Sequence, residues 1–292
     1  MIKKRAIIIT LICVVVIFMI VIFFSLFGFY KAETYPTEIK KFMIKKIKND
    51  NLSMNFLKPE AASVLNHGDI IIYKSPVLID PKFKDKENLC SRVIALPGEI
   101  INIRQSDVYV NDVKQEENYD RYFLYRISMQ EETNFKDLLD NFMVDIVDSL
   151  NNNKACEFIS TQYIADQIAD LPEILNVRKI ICEESKGDIN IFPYQAYTWN
   201  RDYFGPVIVP QEGITVIIDR KNIHLYKKII DVYEDNDLYI YGDNIYINNV
   251  ITNQYTFKQN YYFVLNDNRY NKPDSRTFGF IPENYILGKV LN

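Results

Sequence analysis

The sequence predicts a mainly β protein with an inserted α/β subdomain and one N-terminal transmembrane helix. Three observations carry this. Hydrophobic residues make up 48% of the 292 positions and aromatics 14%, with only 9 Gly, which suits packed sheets and excludes a disordered chain. Short apolar or alternating segments bounded by Gly, Pro, Asn and Asp recur on both sides of a central stretch whose apolar residues fall instead at helical spacing. A long apolar run, Ala6 to Tyr30, precedes all of them.

Composition removes several functions. A formal charge of −4 leaves no basic footprint, so no nucleic acid partner is expected. His67, His224 and four scattered cysteines form no Cys-x-x-Cys or His-x-x-x-His spacing, so no metal is implied. Beyond Cys13, Cys156 can pair with Cys182 in an oxidising compartment; inert buried thiols are the other reading.

Taken in order, residues 1–5 form a short basic tail with Lys3, Lys4 and Arg5, and residues 6–30 follow as a membrane span. At about 1.5 Å rise per residue, ~20 apolar residues cross a bilayer core, so this run is long enough to contact lipid throughout. A cleaved signal peptide fits less well, because its apolar core is shorter and no small-x-small site follows here. Phe27, Phe29 and Tyr30 suit the far interface. The basic tail favours a cytoplasmic N-terminus, whereas Lys31, Lys40, Lys41, Lys45, Lys46 and Lys48 in the linker 31–51 argue the reverse.

Leu52 to Leu57 alternates like a strand, and Asn66-His67-Gly68 turns into the buried strand Asp69 to Tyr73. Ser91 to Ile103 reads as strand, Pro97-Gly98 turn and returning strand, the Gly free to take positive φ. Val108 to Val113 closes a hairpin, and Tyr239 to Val250 repeats its x-Tyr-x-Asn-x-Val design. Between these lies the insert, 119–191. There Phe135, Leu138, Leu139, Phe142, Met143, Ile146, Val147 and Leu150 share one helical stripe, with Thr133 or Asn134 as cap. A second helix is expected over Ser160 to Ala169 and a strand over Val177 to Cys182. His67 reads as a turn histidine, since spacing alone places no carboxylate or serine beside it.

The chain ends in YYFVLNDNRYNKPDSRTFGFIPENYILGKVLN, a polar knot between two apolar strands. Such a knot is costly to desolvate unless its Asp and Arg groups bond one another. Asp267, Asn268, Arg269, Asp274, Ser275, Arg276, Gly279, Phe280 and Pro282 match in order and spacing the last box of the type I signal peptidases, GDNRxxSxDSRxWGFVP. Gly68-Asp69 resembles that family's GD box, Ser91 to Ile103 its KRVIGLPGDxIxI box, and Trp199 to Val207 with Leu225 to Ile230 the longer Bacteroides-type members. The resemblance implies a signal peptidase I-like antiparallel β domain over 52–118 and 192–292, anchored in the cytoplasmic membrane with its globular part outside. It implies signal peptides of exported pre-proteins as partners, no cofactor, and a structural charge network of Arg92, Asp267, Arg269, Asp274 and Arg276, with Asn268 and Ser275 beside it.

The family's chemistry pairs a serine nucleophile with a neutral lysine whose pKa is lowered by desolvation. The serine stands eight residues before the Gly of the GD box, which here is Glu60, and the lysine directly precedes the Arg of the next box, which here is Ser91. The supporting hydroxyl of the last box falls on Lys272, and an upstream oxyanion hydroxyl on Lys58. Ser53-Met54 offers an alternative nucleophile, Ser53, at the cost of a seven-residue insertion before Gly68; a strand hydroxyl is its simpler reading. Glu60 and Lys272 are expected either to pair as carboxylate and ammonium with Ser91 nearby, or to lie on the solvated cleft rim. Two functions follow: a serine endopeptidase of the signal peptidase I type, or a non-catalytic relative that binds signal peptides or a partner peptidase.

Overall fold

The computed structural model describes residues 56–57, 64–76, 88–150, 154–194, 196–270 and 273–290. The apolar run 6–30 and the strand residues 52–55 lie outside these; among the described residues no helix is long and apolar enough to cross a membrane.

Among the described residues, nineteen strands organise the chain. β1 (Phe56–Leu57), β2 (Ile70–Lys74) and β3 (Asn88–Ala95) open it, and β4 (Ile100–Arg104), β5 (Asp107–Val110) and β6 (Val113–Lys114) form a meander. The central segment holds β7 (Phe123–Met129), β8 (Asp145–Leu150), β9 (Ala155–Ser160) and β10 (Ile174–Lys179), with helices α1 (Phe135–Leu139) and α2 (Gln162–Ala169). There follow β11 (Phe204–Ile208), β12 (Thr215–Ile217), helix α3 (Ile223–Lys228) with a π-helical turn to Tyr233, and the ribbon β13 (Leu238–Tyr241), β14 (Asn244–Ile247) and β15 (Val250–Ile251). β16 (Gln254–Thr256), β17 (Tyr261–Leu265), helix α4 (Ser275–Phe278), β18 (Ile281–Pro282) and β19 (Ile286–Val290) complete the described chain.

The main sheet runs β1-β19-β2-β3-β17-β18, and its strand pairs are antiparallel. Because side chains alternate along a strand, β3 and β17 feed two separate cores. Ala95, Phe263 and Leu265 join Ile101, Ile103, Phe204 and Phe280 on one side. Val93 and Val264 join Leu65, Ile71, Tyr73 and Ile286 on the other. An aromatic run, Tyr197, Trp199, Phe204, Phe263 and Phe280, ties the loop before β11 to the larger core.

Turn chemistry behaves as the residues dictate. Gly98 takes φ +85 after Pro97, and both repeated hairpins turn on left-handed pairs, Asn111-Asp112 at φ 52 and 62 and Asn248-Asn249 at φ 50 and 64.

The central segment forms its own four-stranded sheet, β10-β7-β9-β8, around Tyr125, Ile127, Leu139, Phe158 and Ile168. Its helical stripe is only partly realised. Asn134 caps α1 by accepting from Lys136 N at 3.2 Å, but the helix stops at Leu139, a 3-10 turn follows, and Met143 sits at φ 50. Residues 145–150 are therefore strand and not the expected helix. Asp145, Ile146, Asp148, Ser149 and Leu150 pair with β9, with Val147 as a bulge, and the inward residues of β9 bury apolar surface that a continued helix would leave uncovered. α2 begins two residues later than expected, capped by Thr161, and β10 lies three residues earlier than the expected strand.

Gly205 lies at φ +89, and a Cβ there would sit 2.5 Å from the Ile101 carbonyl oxygen; Gly242, at φ +59, has open space. Gly205→Ala is expected to cost roughly 2–4 kcal/mol and Gly242→Ala about 1 kcal/mol. Thermal unfolding of the two variants checks this, with Gly205→Ala melting several degrees lower.

Candidate functional site

The polar knot sits where β17 leaves the main sheet beside β3. Arg92 on β3 donates from Nε and Nη2 to the two carboxylate oxygens of Asp267, at 2.9 and 2.8 Å. Asp267 is fully buried, and Arg92 also donates to the Gly68 carbonyl at 2.9 Å and lays its guanidinium 3.9 Å from the Tyr119 ring centroid. A lone charge here would be untenable; the bidentate pair satisfies both partners.

A second pair sits just beyond. Arg276 donates to Asp274 at 3.0 and 2.8 Å and to the carbonyls of Arg201 and Arg269 at 3.0 and 2.9 Å. Arg269, equally buried, pairs with Glu117 and donates to Tyr119 Oη at 3.1 Å. Backbone bonds lock the arrangement, Tyr122 N to Asp267 O and Arg269 N to Tyr122 O, both 2.9 Å. Asn268 accepts from Tyr270 N at 3.1 Å, and Ser275 Oγ accepts from Val264 N at 2.9 Å. Arg92, Asp267, Arg269, Asp274 and Arg276 are thus tied into buried ion pairs. Glu117 and Tyr119, both in the stem that leads into the central segment, are partners that sequence spacing did not reveal.

Ser91 faces the other side of β3, almost wholly buried. Its Oγ lies 3.0 Å from Tyr73 Oη and donates to Asn266 Oδ1 at 2.8 Å. Asn266 Nδ2 donates to the Pro273 carbonyl at 3.1 Å, which fixes the amide orientation and leaves Oδ1 as acceptor. The hydrogens therefore run one way: Tyr73 donates to Ser91, and Ser91 to Asn266. Burial holds the Tyr73 phenol well above its ordinary pKa, against the lowering effect of the Ser91 hydrogen bond. Burial likewise keeps the neighbouring Cys90 a thiol. Neither partner of Ser91 can take up a proton at neutral pH.

Of the other sequence candidates, Glu60, Lys272, Ser53 and Lys58 lie outside the described residues. Cys90, Cys156 and Cys182 are free thiols. Among the described residues no cluster of His, Cys, Asp or Glu could hold a metal.

Two features were not foreseen. His67 Nε2 lies 2.7 Å from Glu99 Oε2, which also accepts from Leu96 N at 2.7 Å, so the turn histidine does have a carboxylate beside it, brought from the Pro97-Gly98 turn. Lys228, at the end of α3, is pushed down to about 8 by burial. Its Nζ donates to the Phe278 carbonyl at 3.3 Å.

A mainly antiparallel β body with a buried Asp/Arg turn at its centre is the class these observations define. The chain matches, over residues 2–147 and 179–291, the sequence model of the family described as signal peptidase, peptidase S26. It belongs to that family. Among solved structures, a signal peptidase I from Enterococcus faecalis V583 is similar at 17% identity, covering 79% of this chain and 98% of that one with a TM-score of 0.31. No curated protein matches.

Asp267→Asn leaves Arg92 facing a neutral amide in a buried site, and an expected loss of about 3–5 kcal/mol is measurable by denaturant unfolding. Glu117 supplies a pH test. Burial opposes its ionisation, but the Arg269 guanidinium, the Tyr119 hydroxyl and Arg121 outweigh that and hold its carboxyl below the ordinary 4.5. A carboxyl lowered in the folded state contributes stability that is full above 4.5 and lost as pH falls through the folded value. Glu117→Gln should therefore flatten the fall in melting temperature on acidification below 4.5.

Proposed function

We propose that this chain is a membrane-anchored member of the S26 signal peptidase family that binds signal-peptide segments of exported pre-proteins without cleaving them. Membership of the family implies substrates that bear signal peptides. The observation that carries the non-catalytic reading is Ser91. It occupies the position at which the family resemblance calls for a lysine base, and it is closed on both sides by a phenol and a carboxamide. A serine proton needs an acceptor, and general-base removal contributes roughly 10²–10⁴-fold to such reactions. In this proposal Glu60 takes the nucleophile position as a carboxylate and Lys272 the supporting-hydroxyl position as an ammonium, the two pairing across the groove. Residues 6–30 anchor the chain in the cytoplasmic membrane, with the β domain on the extracytoplasmic side.

The family match itself favours a second reading, a working peptidase, for which the sequence offers Ser53 as nucleophile. Hydrolysis of a signal-peptide substrate separates the two. No turnover is expected above a no-enzyme control, together with saturable binding of the same peptide. Turnover that vanishes in Ser53→Ala would establish the peptidase. The combined variant Glu60→Ser, Ser91→Lys and Lys272→Ser is expected to raise hydrolysis above that of the unmodified chain. Digestion of sealed membrane vesicles by an added protease reports the side on which the β domain lies.

A further inference from the structure

We propose that the open edge of β8 takes up, as a fifth strand of the central sheet, an extended segment of a partner protein in which lysine or arginine alternates with apolar residues. The inference does not depend on whether the chain cleaves peptides.

The central sheet ends at β8 on one side and β10 on the other, and among the described residues no strand pairs with the outer side of either. Exposed sheet edges template further strands unless blunted by charged side chains, above all lysine, by proline, by a bulge or by a covering element. β10 is protected: it carries Arg178 and Lys179, and α2 packs on it. β8 reads DIVDSL, with no lysine and no proline, and is interrupted only by a bulge at Val147. Ile146 and Val147 are 38% and 42% exposed although both are β-branched residues suited to a covered strand.

A groove of about 790 Å³ lies between α1 and the start of β8, lined by Phe135, Leu139 and Ile146 with the charged Glu132, Lys136, Asp140 and Asp145. It provides what strand addition requires, a free backbone ladder beside a place for alternate apolar side chains. Charge selects the occupant. Residues 131–150 hold six carboxylates and one lysine. Among the described residues, Glu132, Asp140, Asp145 and Asp148 make no ion pair. A second copy pairing edge to edge would bring two such acidic borders together, whereas a basic strand neutralises one.

The test uses the full chain in detergent micelles and a fluorescent acetyl-Lys-Val-Lys-Val-Lys-Val-Lys-amide probe, read by anisotropy and by amide hydrogen exchange. Saturable binding is expected, with exchange slowed in β8 and not in β10. Asp145→Lys with Asp148→Lys, both exposed, should weaken binding at least tenfold while the melting temperature holds. A probe N-methylated at alternate residues should fail to bind, since it lacks the ladder donors. Equal binding of the N-methylated probe, or of a Glu-Val counterpart, would overturn the proposal. So would exchange protection that falls outside β8, or concentration-dependent protection of β8 without probe, which would make a second copy its occupant.

Discussion

The interaction on which this architecture rests is the buried pair between Arg92 and Asp267. Two charges leave water together at the junction of the central strands β3 and β17, and the desolvation cost is bearable only because the fork geometry satisfies both at once. That requirement propagates. The third side of the guanidinium reaches the Gly68 carbonyl and so holds the turn before β2; its face needs cover, which Tyr119 supplies. Tyr119 in turn shares Arg269 with Glu117, and the stem carrying both is stitched through Tyr122 to the backbone of the polar turn. The central segment therefore departs from the main sheet at the place where its charges are most constrained.

What the sequence made legible was local chemistry. Pro97-Gly98, Asn111-Asp112 and Asn248-Asn249 specify their turns within two residues, because only certain residues adopt positive φ without strain, and these hairpins form where expected. The DNR and DSR residues were legible as a network because charges that close to apolar strands must find partners. Which partner each found was less so. Glu117 and Arg269 lie 152 positions apart, and His67 and Glu99 lie 32 apart; no spacing rule joins them. The stripe from Phe135 to Leu150 shows the opposite failure, a strong local signal overruled. Phe135 and Leu139 do enter a core, but β9 offers the later residues a backbone ladder, and the strand takes them instead.

Around Ser91 the same electrostatic reasoning runs in reverse. A lysine placed there would have to be kept neutral to act, and burial is the means by which such sites lower an amine. The chain demonstrates the effect elsewhere, since Lys228 is lowered by burial alone. At Ser91 the burial is greater, yet it falls on a hydroxyl, for which it carries little penalty once both hydrogen bonds are made. Tyr73, Ser91 and Asn266 form a chain of neutral groups with every polar atom engaged, an arrangement stable without any ion.

The pleat of β3 sets what a change at Ser91 would disturb. Ser91 and Arg92 are neighbours in the chain but project to opposite faces, Ser91 toward Tyr73 and Asn266, Arg92 toward Asp267 and Tyr119. Ser91 and the residue that holds the fold share a strand but no hydrogen-bond partner among those described. Substitution at Ser91 leaves the pair on the other face intact, so the strand register does not depend on which side chain stands there. A strand built this way holds its register through one face, whatever chemistry its other face carries.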